Sequence, residues 1–197
     1  GSDSVANIEN VAGSGGDDII TGSDAVNVID GGAGNDTLDG GAGNDTVIAG
    51  AGDDTVLAGA GDDTLAGDDG IDTLDMAGAD GAVVDLAAGT ASSTETGNDT
   101  ISGFENATGS DGADTITGSD GANTIASGAG DDVVDGGAGD DVIDGGAGND
   151  SLLGGAGNDT IDGGAGDDRI DAGLGDDTLT GGAGADTFSF ADGTDDD

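Results

Sequence analysis

At 197 residues the chain is long enough for one or two small domains, but it carries 44 acidic residues against one basic residue, no His and a net charge of −43. That charge repels nucleic-acid backbones and anionic membranes, and without Cys or His there is no disulfide, thiolate metal site, imidazole base or Cys–His pair. Val, Ile, Leu and Phe supply only 35 residues, too few for a conventional core at this charge, so something must neutralise the chain before it folds.

The opening Gly1-Ser2 reads as a cloning scar, and residues 1–12 as a lead-in whose upstream strands were cut away. From Gly13 to Asp75 the chain then counts in nines, giving seven contiguous units. Residues 76–108 break the count: Val83-Val84-Asp85-Leu86 and Thr100-Ile101 alternate like strands, while the small polar stretch Gly89 to Gly97 reads as a loop or hairpin tip. This segment is expected to be a short β insertion packed on the end of a roll. From Gly109 to Ser189 nine more units follow, in a segment running to residue 197. The expected organisation is therefore 1–75, 76–108 and 109–197.

The register is tested by column. Position 8 is apolar in all sixteen units, from Ile20, Ile29 and Leu38 through to Leu179 and Phe188. Position 4 is Gly in fifteen units. Position 6 is Asp in fourteen, the exceptions being Asn27 and Asn123. Positions 1 to 6 form a turn, because Gly permits positive φ and close backbone approach. Positions 7 to 9 form a three-residue strand with one side chain inward. One inward aliphatic per nine residues cannot bury a globular core, but stacked strands can align them in two facing ladders. The predicted fold is all-β: two tandem parallel β-rolls, a β-solenoid with two repeats per coil.

Stacking sets each turn beside the turn two repeats further on, so the position-6 carboxylates converge with carbonyls freed by the glycine turns. Hard oxygen ligands at this density suit Ca2+, which accepts six to eight oxygens with flexible geometry. Mg2+ demands a strict octahedron, and Zn2+ prefers nitrogen or sulfur. The preference for 41 Asp over 3 Glu fits a carboxylate that must stay close to a tight turn.

These units, such as Gly145–Leu153 (GGAGNDSLL), follow the pattern GGxGxDxUx and resemble the RTX, or haemolysin-type calcium-binding repeat, family over about three quarters of the chain. The resemblance implies a right-handed parallel β-roll with Ca2+ between stacked turns, held by the repeat aspartates and backbone carbonyls. It further implies export by a type I secretion system, folding in extracellular calcium, and a secreted or cell-surface location.

The strong pairs are expected at Asp36 with Asp54, Asp45 with Asp63, and Asp54 with Asp72. In the second block they are Asp132 with Asp150, Asp141 with Asp159, Asp150 with Asp168, Asp159 with Asp177, and Asp168 with Asp186. Asp18 and Asp114 add one site each, for about eight to ten ions in all. The glycines expected to shape the turns are Gly31, Gly32, Gly34, Gly40, Gly41 and Gly43 in the first block. In the second they are Gly136, Gly137, Gly139, Gly145, Gly146, Gly148, Gly154, Gly155, Gly157, Gly163, Gly164 and Gly166. Pairs containing Asn27 or Asn123 lose a charged ligand.

Other features have plainer readings. The Asp and Asn residues at position 5 are read as surface Asx-turn formers. Arg169 pairs loosely with Asp167 or Asp171. Phe104, Phe188 and Phe190 lie at module boundaries and are read as plugs for open roll ends. No catalytic residue is assigned: an active site is singular, whereas these carboxylates repeat along a stack. The expected function is a calcium-binding region that folds on binding calcium outside the cell. The alternative is an accessory module of a secreted protease, lipase or polysaccharide epimerase, or a spacer of an adhesin or surface-layer protein. Expected partners are calcium and the export machinery, with the fragment itself monomeric. Acid should release the ions below about pH 5 as the aspartates protonate.

Overall fold

The nine-residue spacing of the aliphatics is met by strands that alternate between two sides of a flat coil. The structure, a computed structural model, describes residues 4–6 and 9–190. The opening Gly1-Ser2 lies outside the described residues. Among these residues there is no helix; the strands form one sheet of ten and one of twelve. Neighbours within a repeat block are parallel and two repeats apart, so that Thr37, Leu38 and Asp39 face Thr55, Val56 and Leu57. In the second block Ser151 and Leu152 face Arg169 and Ile170. The predicted β-roll is the observed fold.

The two ladders of position-8 side chains meet in one continuous core. Those from Ile20 to Ile170 are at most 2% exposed, and each buried aliphatic of this size contributes roughly 1.5–3 kcal/mol. Position 1 also points inward: Ala49, Ala58 and Ala172 are buried beside the ladders, in keeping with the two-residue alternation of a strand. Strands of the larger sheet accordingly run on into the glycine turn for six residues, as at Val28–Ala33 and Thr46–Ala51, beyond the three predicted. At the far end the ladder is less covered: Leu179 is half-buried and Phe188 is 40% exposed. Among the described residues no strand stacks beyond Thr178–Thr180 and Thr187–Ser189.

The segment between the blocks is not packed on a roll end. Strand Thr73–Asp75 pairs directly with Asn106–Ser110, so the smaller sheet continues without a break. In the larger sheet a three-strand meander fills the gap. Gly97–Ser102 lies parallel to Thr64–Asp69, then Thr90–Ser93 and Val83–Asp85 follow antiparallel, and Val83–Asp85 runs parallel to Thr115–Ser119. The stretch read as a loop thus contains a strand, Thr90–Ser93. Its small inward residue Ala91 is buried between Val84 and Asp99 in the register. Phe104, 6% exposed, is buried inside the junction, while the exposed Phe188 and Phe190 stand at the far end of the roll.

Glycine is required where turns touch. At Gly148 φ is 143°, and a Cβ would collide with the carbonyl oxygen of Gly130 in the neighbouring coil. Asp68 occupies position 2, where Gly32 and Gly50 have φ of 101° and 113°, and it is the one described non-glycine residue with positive φ, at 71°. A left-handed side chain costs about 1–2 kcal/mol, partly offset by the greater freedom of glycine in the unfolded chain. Asp68→Gly is therefore expected to stabilise the calcium-loaded protein by about 0.5–1 kcal/mol. Thermal unfolding in saturating calcium checks this, and a lowered midpoint would contradict it.

Candidate metal-binding turns

Beyond the two opening turns of each block, each turn is pinned by its position-6 carboxylate, which reaches back one coil to a backbone amide. Asp36 Oδ1 accepts the N–H of Asp18 (2.7 Å), Asp54 Oδ1 that of Asp36 (2.6 Å), and Asp72 Oδ1 that of Asp54 (2.9 Å). Along the opposite edge Asp45 accepts from Asn27 and Asp63 from Asp45, at 2.8 and 2.7 Å. In the second block Asp132, Asp150, Asp168 and Asp186 form one ladder and Asp141, Asp159 and Asp177 the other. All eight predicted pairs are therefore brought together through a direct hydrogen bond.

The second oxygen has no such partner. Oδ2 of Asp36, Asp45, Asp54, Asp72, Asp132, Asp141, Asp150, Asp159 and Asp168 is buried and meets no hydrogen-bond donor in the protein. A buried anionic oxygen without a partner is costly unless a cation or proton answers it. Where position 1 is glycine, the missing side chain leaves space beside it. A Cβ on Gly31, Gly145 or Gly163 would lie 2.6, 2.8 and 2.6 Å from Oδ2 of Asp36, Asp150 and Asp168. It would be equally close to a carbonyl oxygen of the next coil, that of Ala49, Gly163 or Gly181. Burial pushes Asp63, Asp72, Asp141 and Asp150 up to about 6, against the help of the backbone hydrogen bond and with added repulsion from neighbouring carboxylates. Asp36, Asp45, Asp54, Asp132 and Asp159 are raised for the same first reason.

The opening turns of each block differ. Position 2 is Ser there, and its amide satisfies the position-6 side chain. The N–H and hydroxyl of Ser14 both reach Asp18 Oδ2, at 2.7 and 3.0 Å. Ser110 donates its N–H to Asp114 Oδ2 (2.6 Å) and its hydroxyl to Oδ1 (2.7 Å). The Asn27 and Asn123 amides donate to the carbonyls of Ala25 and Glu105 respectively. Asp18 and Asp114 are thus satisfied by protein donors, unlike the aspartates of the GG turns.

Position 5 is not a set of local Asx turns. Its side chains bond forward to the next coil. Asp131 Oδ1 accepts the N–H of Asn149 (2.8 Å), Asn149 Oδ1 that of Asp167 (2.9 Å), and Asp140 Oδ1 that of Asn158 (2.8 Å). The geometry is intercoil, which no reading of a single repeat reveals. Alternating Asn with Asp keeps this exposed ladder from stacking like charges. Arg169 does approach Asp171, at 3.8 Å and largely exposed, a contact worth little. Glu95, the acid set apart in sequence, accepts from the Thr94 hydroxyl and the Asp80 amide; the Thr94 bond lowers its pKa.

Two further acids occupy position 6 and were missed because they lie in the segment that breaks the count. Asp99 is buried, with Oδ1 accepting the N–H of Asp63 (2.9 Å) and Oδ2 unpartnered. Glu105 accepts the N–H of Asp72 (2.9 Å). The run Gly97-Asn98-Asp99-Thr100-Ile101 repeats Gly157-Asn158-Asp159-Thr160-Ile161 and was the available signal. Among the described residues no three acidic side chains converge on one point. An ion between turns would therefore draw on two carboxylates and on backbone carbonyls, an all-oxygen set that suits Ca2+.

No curated protein matches the chain. The profile of the RTX calcium-binding nonapeptide repeat, in four copies, matches at residues 12–47, 39–74, 108–143, 135–170, 144–179 and 162–196. These segments cover 152 of the 197 residues and coincide with the two blocks of stacked turns. Repeat spacing, sheet register and buried carboxylate ladders agree with that match, and the chain belongs to the RTX calcium-binding nonapeptide repeat family.

Proposed function

We propose that this chain is a calcium-actuated folding module: unfolded where calcium is scarce, as during export through a type I system, and folded once outside the cell. The observation that supports this is the file of buried, unpartnered Oδ2 atoms. With no cation, each ladder places like charges two repeats apart in sequence and adjacent in space, inside a chain of net charge −43. Folding then opposes both desolvation and repulsion. Ca2+ supplies the missing positive charge and accepts both carboxylate and carbonyl oxygens.

The chain's own residues divide the work. The position-6 aspartates of the eight stacked pairs hold the ion. The position-1 glycines leave room for it, and the position-8 aliphatics convert the ordered turns into a core. Asp18, Asp114, Asn27 and Asn123 close the opening turns without it. No residue is given a catalytic role; the module binds and folds.

The test is a far-UV titration. In chelator the chain should give a coil-like spectrum, and in millimolar Ca2+, the range usual for extracellular modules, it should gain β structure cooperatively. Magnesium at equal concentration should do much less. A spectrum unchanged between chelator and calcium would overturn the proposal.

A further inference from the structure

We infer that Asp63 and Asp99 form an additional calcium site, one that welds the two repeat blocks into a single roll. The site rests on the calcium-binding reading above; Asp63 belongs to a matched repeat, but Asp99 lies outside the matched residues, in the segment that breaks the nine-residue count.

The turn at residues 96–100 stacks on the turn at 60–64 with the contacts of a regular repeat. Gly61 N–H donates to the Thr96 carbonyl (2.8 Å) and Thr100 N–H to the Asp63 carbonyl (2.9 Å). Asn98 N–H donates to Asp62 Oδ1 (3.0 Å) and Asp63 N–H to Asp99 Oδ1 (2.9 Å). One coil earlier the same four bonds are Gly43 to Ala60 (2.7 Å), Thr64 to Asp45 (2.9 Å), Asp62 to Asn44 (3.4 Å) and Asp45 to Asp63 (2.7 Å). Only the separation along the chain differs, being twice that of a regular coil. Asp99 is 3% exposed and Asp63 4%, and Asp99 Oδ2 is buried with no donor in reach. An anionic oxygen so placed, beside a second buried carboxylate, calls for a hard divalent cation.

The site departs from the others in one respect. Thr94 and Glu95 stand at positions 1 and 2, where the turns of the eight pairs have at least one glycine, and Glu95 is tied to the Asp80 amide within the insertion. The turn therefore forms only once the chain has run out through Val83–Asp85, back through Thr90–Ser93, and returned beside Thr64–Asp69. Val83–Asp85 is in turn paired with Thr115–Ser119 of the second block. An ion held by Asp63 and Asp99 thus binds only when the meander bridging both blocks is in place, and by linkage it favours that meander.

The experiment counts ions on the full chain by calorimetry and equilibrium dialysis. It compares the wild type, Asp99→Asn and Asp85→Asn, the last carrying the same charge change within the insertion. Asn at 99 keeps an oxygen acceptor for the Asp63 amide. Asp99→Asn should bind one ion fewer than wild type with the same β content at saturating calcium, and Asp85→Asn should match wild type. In the wild type itself, the Asp99 carboxyl carbon resonance should shift on calcium addition, as should that of Asp54. An unchanged count for Asp99→Asn, or a stationary Asp99 resonance while Asp54 responds, would overturn the junction site alone. A wild type that takes up no calcium would overturn both this site and the reading on which it rests.

Discussion

Asp150→Ala is expected to raise the calcium midpoint of folding about three- to ten-fold, whereas Asp140→Ala should move it by less than about two-fold. The two changes relieve the same net charge in adjacent turns, so diffuse self-repulsion cannot separate them. Geometry can. Asp150 Oδ1 accepts the amide of Asp132, its own amide donates to Asp168, and its Oδ2 is buried and unpartnered. Its loss removes a ligand shared by two stacked turns and leaves the Asp132 amide without its acceptor, for about 2–4 kcal/mol of calcium-loaded stability. Asp140 is exposed, and its Oδ1 accepts from the backbone and side chain of Asn158 (2.8 and 3.1 Å). Truncation there removes an intercoil clip worth about 0.5–1 kcal/mol, so the variant is mildly weakened, not improved, and its ion count is unchanged. Asp114→Ala should lose stability by a third route. Its oxygens accept from the amides of Ser110 and Ala82 and from the Ser110 hydroxyl. The ion count should stay at the wild-type value while the roll melts earlier. Circular dichroism in a calcium titration, with calorimetric stoichiometry, distinguishes the three. Equal midpoints for Asp150→Ala and Asp140→Ala would reduce calcium to a diffuse counter-ion.

Acidification should have opposite effects with and without calcium, in a window centred near pH 6 and above the pH 5 expected from free aspartate. Burial raises Asp99 to about 7 and Asp63, Asp72, Asp141 and Asp150 to about 6, from an ordinary 3.8. A carboxyl raised in the folded state binds its proton more tightly folded than unfolded. The stability it contributes is fully present below the unfolded value and is lost as pH rises through the folded one. In chelator, lowering the pH from about 7.5 to 5 should therefore increase β structure, because protons partly substitute for the cation. In calcium the ion must displace those protons, so the calcium midpoint should climb over the same range and binding near pH 6 should release protons. Titrations at pH 5, 6 and 7.5, with proton release followed in weak buffer, check both arms. If β structure rises in chelator over this range while the calcium midpoint stays flat, these buried carboxylates are not the ligands.

Much of this was legible in the linear chain because the repeat is strict. Sixteen aliphatics at position 8 and fourteen aspartates at position 6 specify strand, turn and stacking partner, since a nine-residue unit with one inward side chain has no other way to bury it. The eight carboxylate pairs followed from the two-repeat coil alone, and each is in contact. The serine at position 2 of the opening turns, Ser14, Ser23, Ser110 and Ser119, was visible too, but its effect was not, because it depends on an amide four residues away reaching the side-chain oxygen of Asp18, Asn27, Asp114 or Asn123.

What only the tertiary structure decided lies where neighbours in space are not two repeats apart, or where a bond joins coils and not residues within a repeat. Position 5 looked like local turn chemistry because a single repeat cannot show that its oxygen meets the amide of the next coil. The segment 76–108 looked like an appendage because its meander runs backward, setting Val83–Asp85 against the second block and Gly97–Ser102 against the first. Asp99 therefore stacks on Asp63 at twice the regular separation. The sequence determined the repeat, its hydrophobic ladders and its oxygen-rich turns, because each follows from a fixed local period. Only the fold decided that two blocks make one roll and which carboxylates keep a buried, unanswered oxygen, because both depend on which coil the returning chain lies against.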